Sequence, residues 1–262
     1  MSTEIVINQV NMRFGKGDKA VTALSDINLD IPSGEIVSLL GPSGCGKSTL
    51  LRLIADLLEP SAGKIEVENE SPRQARLQRK FGIIFQQPTL LEWRNVVDNV
   101  SLPLEFTGHS RKERKQIAME QLRMVGLEKF AGHYPWQLSG GMQQRVAIAR
   151  ALTFNPPMLL MDEPFSALDE FTKERLHLEV IRIQEQTRKT VVFVTHSIPE
   201  AVFLSNRVIV LSAHPGKVKH NLSIELPGKR DLQIREHPAF FEYTTKVRSC
   251  FGEGAYDEDL LV

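Results

Sequence analysis

The stretch Gly41-Pro42-Ser43-Gly44-Cys45-Gly46-Lys47-Ser48-Thr49 brings three glycines, a lysine and adjacent hydroxyls together in one short run. It fits the pattern Gly-x-x-x-x-Gly-Lys-Ser/Thr. Glycines let successive backbone N–H groups turn inward around phosphate oxygens, and a helix that begins there adds the positive end of its dipole. In that geometry Lys47 reaches toward the β and γ phosphates of a nucleotide. Ser48 offers a hydroxyl to Mg²⁺, a hard cation that takes oxygen ligands. Cys45 reads as a small filler of the loop. As a thiol beside Lys47 and a helix N-terminus, it is expected to have a lowered pKa and to be alkylated readily when the site is empty.

Asp162 and Glu163 follow the apolar run Met158-Leu159-Leu160-Met161, and ligands in open α/β sheets collect at such strand ends. Set beside the phosphate loop, Asp162 becomes an outer-sphere or water-mediated Mg²⁺ partner. Glu163, one residue further, is aimed at the γ phosphate as general base for an attacking water. His196 ends the next apolar run, Val191 to Thr195, and is expected on the same sheet edge as Glu163. The plainer alternative is two solvated carboxylates and a structural histidine. Earlier in the chain, Leu138-Ser139-Gly140-Gly141-Met142-Gln143-Gln144-Arg145 precedes an amphipathic pattern. Ser139 suits a helix cap and the two glycines leave N–H groups open, so a second anion site is expected there.

These residues need a scaffold. Ile27, Leu29 and Ile31 alternate with polar residues, as do Ile65 and Val67, which is the period of half-buried strands. Glu35 to Leu40, Met158 to Met161, Val191 to Thr195 and Val208 to Leu211 are continuous apolar runs, the mark of strands covered on both faces. Helical periods lie between them, at Leu50 to Leu58, at Met142, Val146 and Ala149, and at Leu176, Val180 and Ile183. Pro88 to Asn155 shows no buried strand and reads as several helices, one from about Arg111 to Val125 ending near Gly126. The expectation is a mostly parallel sheet with helices on both faces and a helical insertion. After Pro227 comes a short helical pattern around Phe240, Val247 and Phe251, then an acidic terminus.

Composition sets the bounds. The 262 residues carry 32 Lys plus Arg against 32 Asp plus Glu, so the net charge is zero and no nucleic-acid partner is expected. The basic run Arg111-Lys112-Glu113-Arg114-Lys115 reads as a solvated helix face. No apolar stretch approaches the roughly 20 residues of a membrane span, and Met1 to Val10 lacks the basic and apolar regions of a secretory signal. Cys45 and Cys250 have neither metal-ligand nor framework spacing, in keeping with a reducing, cytosolic setting.

With Leu138 to Arg145 in view, the chain closely resembles the ATP-binding subunits of ABC transporters, whose signature motif is LSGGQ; Met142 takes its last position here. The resemblance spans nearly the whole chain. It implies a P-loop NTPase cassette of the α/β class, with a mostly parallel core sheet, an antiparallel β subdomain and an inserted helical subdomain. Residues 1–87 would be the first part of the ATP-binding core with the β subdomain, and 88–156 the helical subdomain. Residues 157–226 would complete the core, and 227–262 would form a short helical tail.

The same resemblance implies ATP and Mg²⁺ as cofactors. Phe14 stands where the family puts an aromatic residue under the adenine. Gln86, in Ile83-Ile84-Phe85-Gln86, matches the glutamine that links Mg²⁺ and attacking water to the helical subdomain. Ser166-Ala167-Leu168-Asp169 matches the D-loop and Thr195-His196 the switch histidine. The implied catalytic residues are Glu163, His196 and Gln86, and the metal is assigned to Ser48, Gln86 and Asp162. Nucleotide is assigned to Phe14, the loop Gly41 to Thr49, Ser139, Gly140, Gly141 and Asp169. A second copy of the subunit is implied, each signature closing on ATP held by the other's phosphate loop.

Gln86-Gln87-Pro88-Thr89-Leu90-Leu91-Glu92-Trp93-Arg94-Asn95-Val96 is similar to a segment of nitrate, sulfonate, taurine and bicarbonate uptake ATPases, with Glu92 replacing the usual proline. Import is therefore expected, through a separate integral-membrane permease served by a solute receptor, with the subunit peripheral to the cytoplasmic face of the inner membrane. Leu90, Leu91 and Trp93 read either as a docking surface for the permease or as core of the helical subdomain. The rival class is an ABC ATPase acting on nucleic acid or the ribosome. Against it stand a single cassette and the lack of sustained heptads.

Overall fold

A computed structural model describes residues 3–166 and 168–251. The acidic end of the chain, Met1 and Ser2 of the N-terminal segment, and Ala167 of the Ser166 to Asp169 motif lie outside the described residues.

In chain order the elements are β1 (Thr3–Phe14), β2 (Val21–Pro32), β3 (Ile36–Leu40), α1 (Lys47–Ile54), β4 (Ala62–Val67), α2 (Pro72–Leu77) and β5 (Phe81–Ile84). Next come α3 (Val96–Ser101), α4 (Arg111–Met124), α5 (Gly140–Leu152), β6 (Met158–Asp162) and α6 (Glu170–Thr187). The chain continues through β7 (Thr190–Thr195), α7 (Ile198–Leu204), β8 (Arg207–Leu211), β9 (Val218–Ser223) and α8 (Pro238–Ser249). Short 3₁₀ turns fill several connections, among them Leu232–Glu236 ahead of α8.

The central sheet has the order β5-β6-β7-β3-β8-β9, parallel except for β9, which runs antiparallel on the edge. A second, antiparallel sheet has the order β2-β1-β4. Alternate residues of the central strands feed different cores. Val37, Leu39, Val192 and Val194 pack with α1 and the antiparallel sheet. Ile36, Leu40, Val191 and Phe193 pack with α5, α6, α7 and α8. Both faces are covered, and every residue of β3, β6 and β7 is buried, which is why those strands read as unbroken apolar runs.

The early end of α1 and the broken pattern of β1, a strand that the sequence does not announce, have physical causes. α1 stops at Ile54, short of Leu58, because Asp56 adopts a left-handed conformation (φ 56°) and the Leu57 N–H turns back to the Arg52 carbonyl at 2.9 Å. This C-terminal closure ends the helix one turn early. β1 has no clean alternation because its register shifts between Ile7 and Val10, at Gln9 (φ 49°), so Ile5 and Ile7 are followed inward by Val10 and Met12. α4 begins on a reciprocal cap between Ser110 and Glu113 and ends before Gly126, as its pattern predicts. The Arg111 to Lys115 face is mostly exposed, but Arg114 turns toward Glu105 at 3.7 Å.

Candidate functional site

The parallel register delivers several motifs to one edge. Leu40 pairs with Thr195, Asp162 with Val194 and Ile84 with Met161, so the loops after β3, β5, β6 and β7 emerge side by side. After β3 the chain turns at Gly41 and enters α1 through Gly46, whose φ of 98° favours glycine and where a Cβ would come 2.6 Å from Leu24 Cδ2. No side chain caps α1, so its first-turn N–H groups face an incoming anion. The Lys47 ammonium is buried and donates to the carbonyls of Gly41 (2.7 Å) and Pro42 (2.8 Å), which curls the loop around it. Ser43 and Gly44 are exposed at the tip.

Cys45 departs from the reactive thiol expected of it. Its side chain is fully buried in the core with Leu39, Leu50 and Leu211, and burial pushes its pKa up by more than Lys47 pulls it down. It is the filler.

The Ser48 hydroxyl donates to Asp162 Oδ1 at 2.6 Å, and Arg52 Nη2 stands 3.8 Å from Asp162 Oδ2. Glu163 follows in a left-handed conformation (φ 45°), with its N–H on the Val194 carbonyl. Its Oε2 lies 3.5 Å from His196 Nδ1. Gln86 Nε2 donates to Ser166 Oγ (3.2 Å), and Ser166 Oγ donates to the Glu163 carbonyl (3.1 Å), so the loops after β5 and β6 are tied together.

A cleft of about 370 Å³ is lined by Phe14, Ser43, Gly44, Gly46, Lys47, Ser48, Thr49 and Glu163. Phe14 is exposed at the end of β1. His214, from the turn between β8 and β9, lines the same cleft. Sequence reasoning missed it, since that turn carries no motif. The cleft combines a phosphate-shaped loop and buried ammonium with Ser48 and Glu163 on its wall; their partners Asp162 and His196, like Gln86, are not among the residues that line it. Such a set can hold a polyphosphate and take a proton from a water beside it. Ser48, Asp162 and the Gln86 amide offer oxygen donors only, the chemistry suited to Mg²⁺. A wider cleft, about 690 Å³, opens between Arg94, Glu105, Arg111 and Arg114. It lacks the loop and the Glu163–His196 pair, so size alone does not mark the chemistry here.

Ser139, Gly140 and Gly141 are not among the residues that line the smaller cleft. Ser139 caps α5, its hydroxyl accepting the Met142 N–H at 3.3 Å. A Cβ at Gly141 would collide with Thr172 Cγ2, so α5 sits this close to α6 without moving the Thr172 side chain only where the residue is glycine. Asp169 caps α6 by accepting the Thr172 N–H at 3.0 Å, and hydrogen bonding from the Thr172 side chain first, then from its N–H, holds the carboxyl below the usual range. The two motifs thus meet around Thr172. α5 also grips the chain on both sides of Gln86: Gln144 donates to the Phe85 carbonyl at 3.4 Å, and Arg150 donates to the carbonyls of Pro88 and Thr89, each at 2.8 Å, and to Thr89 Oγ1 at 3.0 Å.

Leu90, Leu91 and Trp93 divide between the two readings. Leu90 packs on the core. The Leu91 backbone is held by buried Asn99, at 2.7 and 3.0 Å. Trp93 is 74% exposed.

A family profile described as "ABC transporter" matches residues 24–166. The chain is 44% identical over 242 residues to the taurine import ATP-binding protein TauB of Rhizobium johnstonii, covering 90% of each chain. It is 44% identical over 249 residues to the nitrate import ATP-binding protein NrtD of Synechocystis sp., covering 93% of each. Among solved structures, a dimeric ATP-binding cassette in a post-hydrolysis state with ADP and Pi superposes with a TM-score of 0.75 at 39% identity, over 84% of this chain and 99% of that one.

Proposed function

Since the chain belongs to the ABC transporter family and is an ATPase of that family, we propose that it is the ATP-hydrolysing subunit of an importer, working as a dimer on a separate permease. The observation that carries this reading is Glu163 in the cleft with Lys47 and Ser48, 3.5 Å from His196.

ATP is bound by the loop from Gly41 to Thr49, with Lys47 leaving its loop carbonyls for the phosphates and Phe14 under the base. Glu163 accepts a proton from water as the water oxygen attacks the γ phosphorus, the bond to the β-bridging oxygen breaks, and ADP is the leaving group. His196 orients Glu163 and the γ phosphate, and Gln86 carries the state of that rim toward α5. Ser48, Gln86 and Asp162 would hold Mg²⁺, which would supply positive charge against the phosphate oxygens. The N-terminus of α5 does not line the chain's own cleft, which suits a partner copy: Ser139, Gly140 and Gly141 of one subunit meet the γ phosphate held by the other, with Asp169 at the junction. Loss of that phosphate releases the contact and the permease changes state.

The region 88–156, with α3, α4 and α5, serves as the helical unit that receives the permease. Residues 1–87 and 157–226 form the nucleotide-binding core, and 227–262 a tail. Among the described residues no helix is long and apolar enough to cross a membrane, in keeping with a peripheral subunit on the cytoplasmic face of the inner membrane. The taurine and nitrate relatives favour a small anion of that kind as solute, delivered by a receptor.

Glu163→Gln tests the reading. The variant retains ATP binding, loses turnover and accumulates an ATP-dependent dimer in gel filtration; hydrolysis at the wild-type rate overturns the assignment. For the solute, deletion of the gene in its host should abolish growth on taurine as sulfur source or on nitrate as nitrogen source.

A further inference from the structure

Two loops of the catalytic rim are braced from behind by one buried side chain. His177, on α6, is 1% exposed. Its ring meets Phe165 edge-to-face at 4.6 Å, and Phe165 lies two residues past Glu163. On another side it faces Phe203 of α7 at 5.9 Å and Glu200 of α7, whose Oε1 stands 3.8 Å from His177 Nε2. Glu200 in turn accepts the Thr195 hydroxyl at 2.7 Å, and Thr195 Oγ1 accepts the Ser197 N–H at 3.0 Å. Thr195 and Ser197 bracket His196. A single imidazole therefore touches the packing of the Glu163 loop and stands next to the hydrogen-bonded frame of the His196 loop.

The tail reaches that imidazole. Arg235, in the turn Leu232–Glu236, stacks its guanidinium over the Phe203 ring at 4.5 Å. It donates through Nη1 to Glu174 (3.0 Å) and through Nη2 to His177 Nδ1 (3.1 Å). A donor on Nδ1 leaves the ring proton on Nε2. That Nε2 is buried and has no hydrogen-bond partner among the described residues. The carboxylate nearest to it, Glu200, is just beyond hydrogen-bond reach. A shift of under about 1 Å would close the contact and join the tail to Thr195 in one hydrogen-bonded chain.

We infer that Arg235 is a positioning residue for ATP hydrolysis: by holding His177 between the loops after β6 and β7, it fixes Glu163 and His196 relative to each other without touching nucleotide. The tail is then a part of the catalytic machine and not an appendage. This inference rests on the roles proposed above for Glu163 and His196.

The test uses the full chain. Arg235→Met keeps an apolar stem over Phe203 and removes the guanidinium; His177→Phe keeps ring volume between Phe165 and Phe203 and removes the acceptor. Each should lower kcat by about tenfold or more with the KM for ATP changed by less than about twofold, because misaligned catalytic groups slow chemistry without loosening binding. The double variant should be no slower than the slower single variant. Unchanged kcat, a raised KM alone, or independent multiplicative losses overturn the inference. Ring ¹⁵N spectra of the wild type add a reading that needs no variant: His177 must carry its proton on Nε2, and a proton on Nδ1 refutes the arrangement. A wild-type chain that does not hydrolyse ATP strikes the proposed function itself, and this inference falls with it.

Discussion

The Ser48 hydroxyl reaches Asp162 Oδ1 at 2.6 Å, joining the first turn of α1 to the end of β6 across 114 residues of sequence. Both groups offer hard oxygen donors, and Arg52 stands 3.8 Å from the other carboxylate oxygen. Asp162→Asn keeps the shape but removes the charge that complements a divalent cation. Steady-state assays should show kcat reduced by at least about a hundredfold, while nucleotide binding measured in EDTA stays near the wild-type value. Equal losses in the two assays would show that Asp162 only supports the loop.

Cys45 is shielded by the core below the phosphate loop. In a Cys250→Ser background, maleimide should label the folded chain slowly, at the same rate with and without MgATP, and label it fully only after denaturation. Rapid labelling that nucleotide suppresses would restore the reactive-thiol reading.

Stability should fall in acid partly through His177. Burial first, then Arg235 and Lys173, drive its pKa from 6.5 down to about 3. The unfolded chain binds this proton below pH 6.5 and the folded chain does not, so stability present above 6.5 is lost as pH falls toward about 3. The slope from this group approaches 1.4 kcal/mol per pH unit, about 4–5 kcal/mol over the window. Urea melts from pH 7 to 4 should show His177→Phe with a flatter pH dependence than wild type; identical slopes would exclude the buried neutral imidazole.

Trp93 offers the simplest probe of the proposed permease contact. Exposed to 74%, it should tolerate Trp93→Asp with no change in melting temperature or ATP binding. Copurification with the permease should weaken by about tenfold or more, since a fully buried anchor of this size contributes roughly 1.5–3 kcal/mol. Normal copurification would remove Trp93 from the interface.

Contiguous patterns were the legible part of this chain. The run from Glu35 into Gly41 to Thr49 is strand, loop and helix start in succession, and its residues speak to neighbours in sequence. The apolar runs ending at Asp162 and Thr195 announce buried parallel strands, so their end residues fall on one edge. β9 was hidden because it is a polar edge strand with no apolar face to read. β1 was hidden by the shift at Gln9, and the early end of α1 by the left-handed turn at Asp56. His177 and Arg235 are 58 residues apart and meet only through tertiary packing. Likewise, nothing local tells that Cys45 points inward or that His214 reaches the cleft.

Arg150 and Gln144 hold the segment after β5 by four contacts, three of which end on main-chain carbonyls. Carbonyls are the same whatever side chain follows, so the grip is blind to most of the loop's sequence. Glu92 in place of a proline, or a different residue at Trp93, leaves it intact. Exposed residues of the segment, Trp93 among them, can therefore change without breaking the linkage behind them. A grip on main-chain atoms separates what the segment presents outward from how firmly α5 holds it.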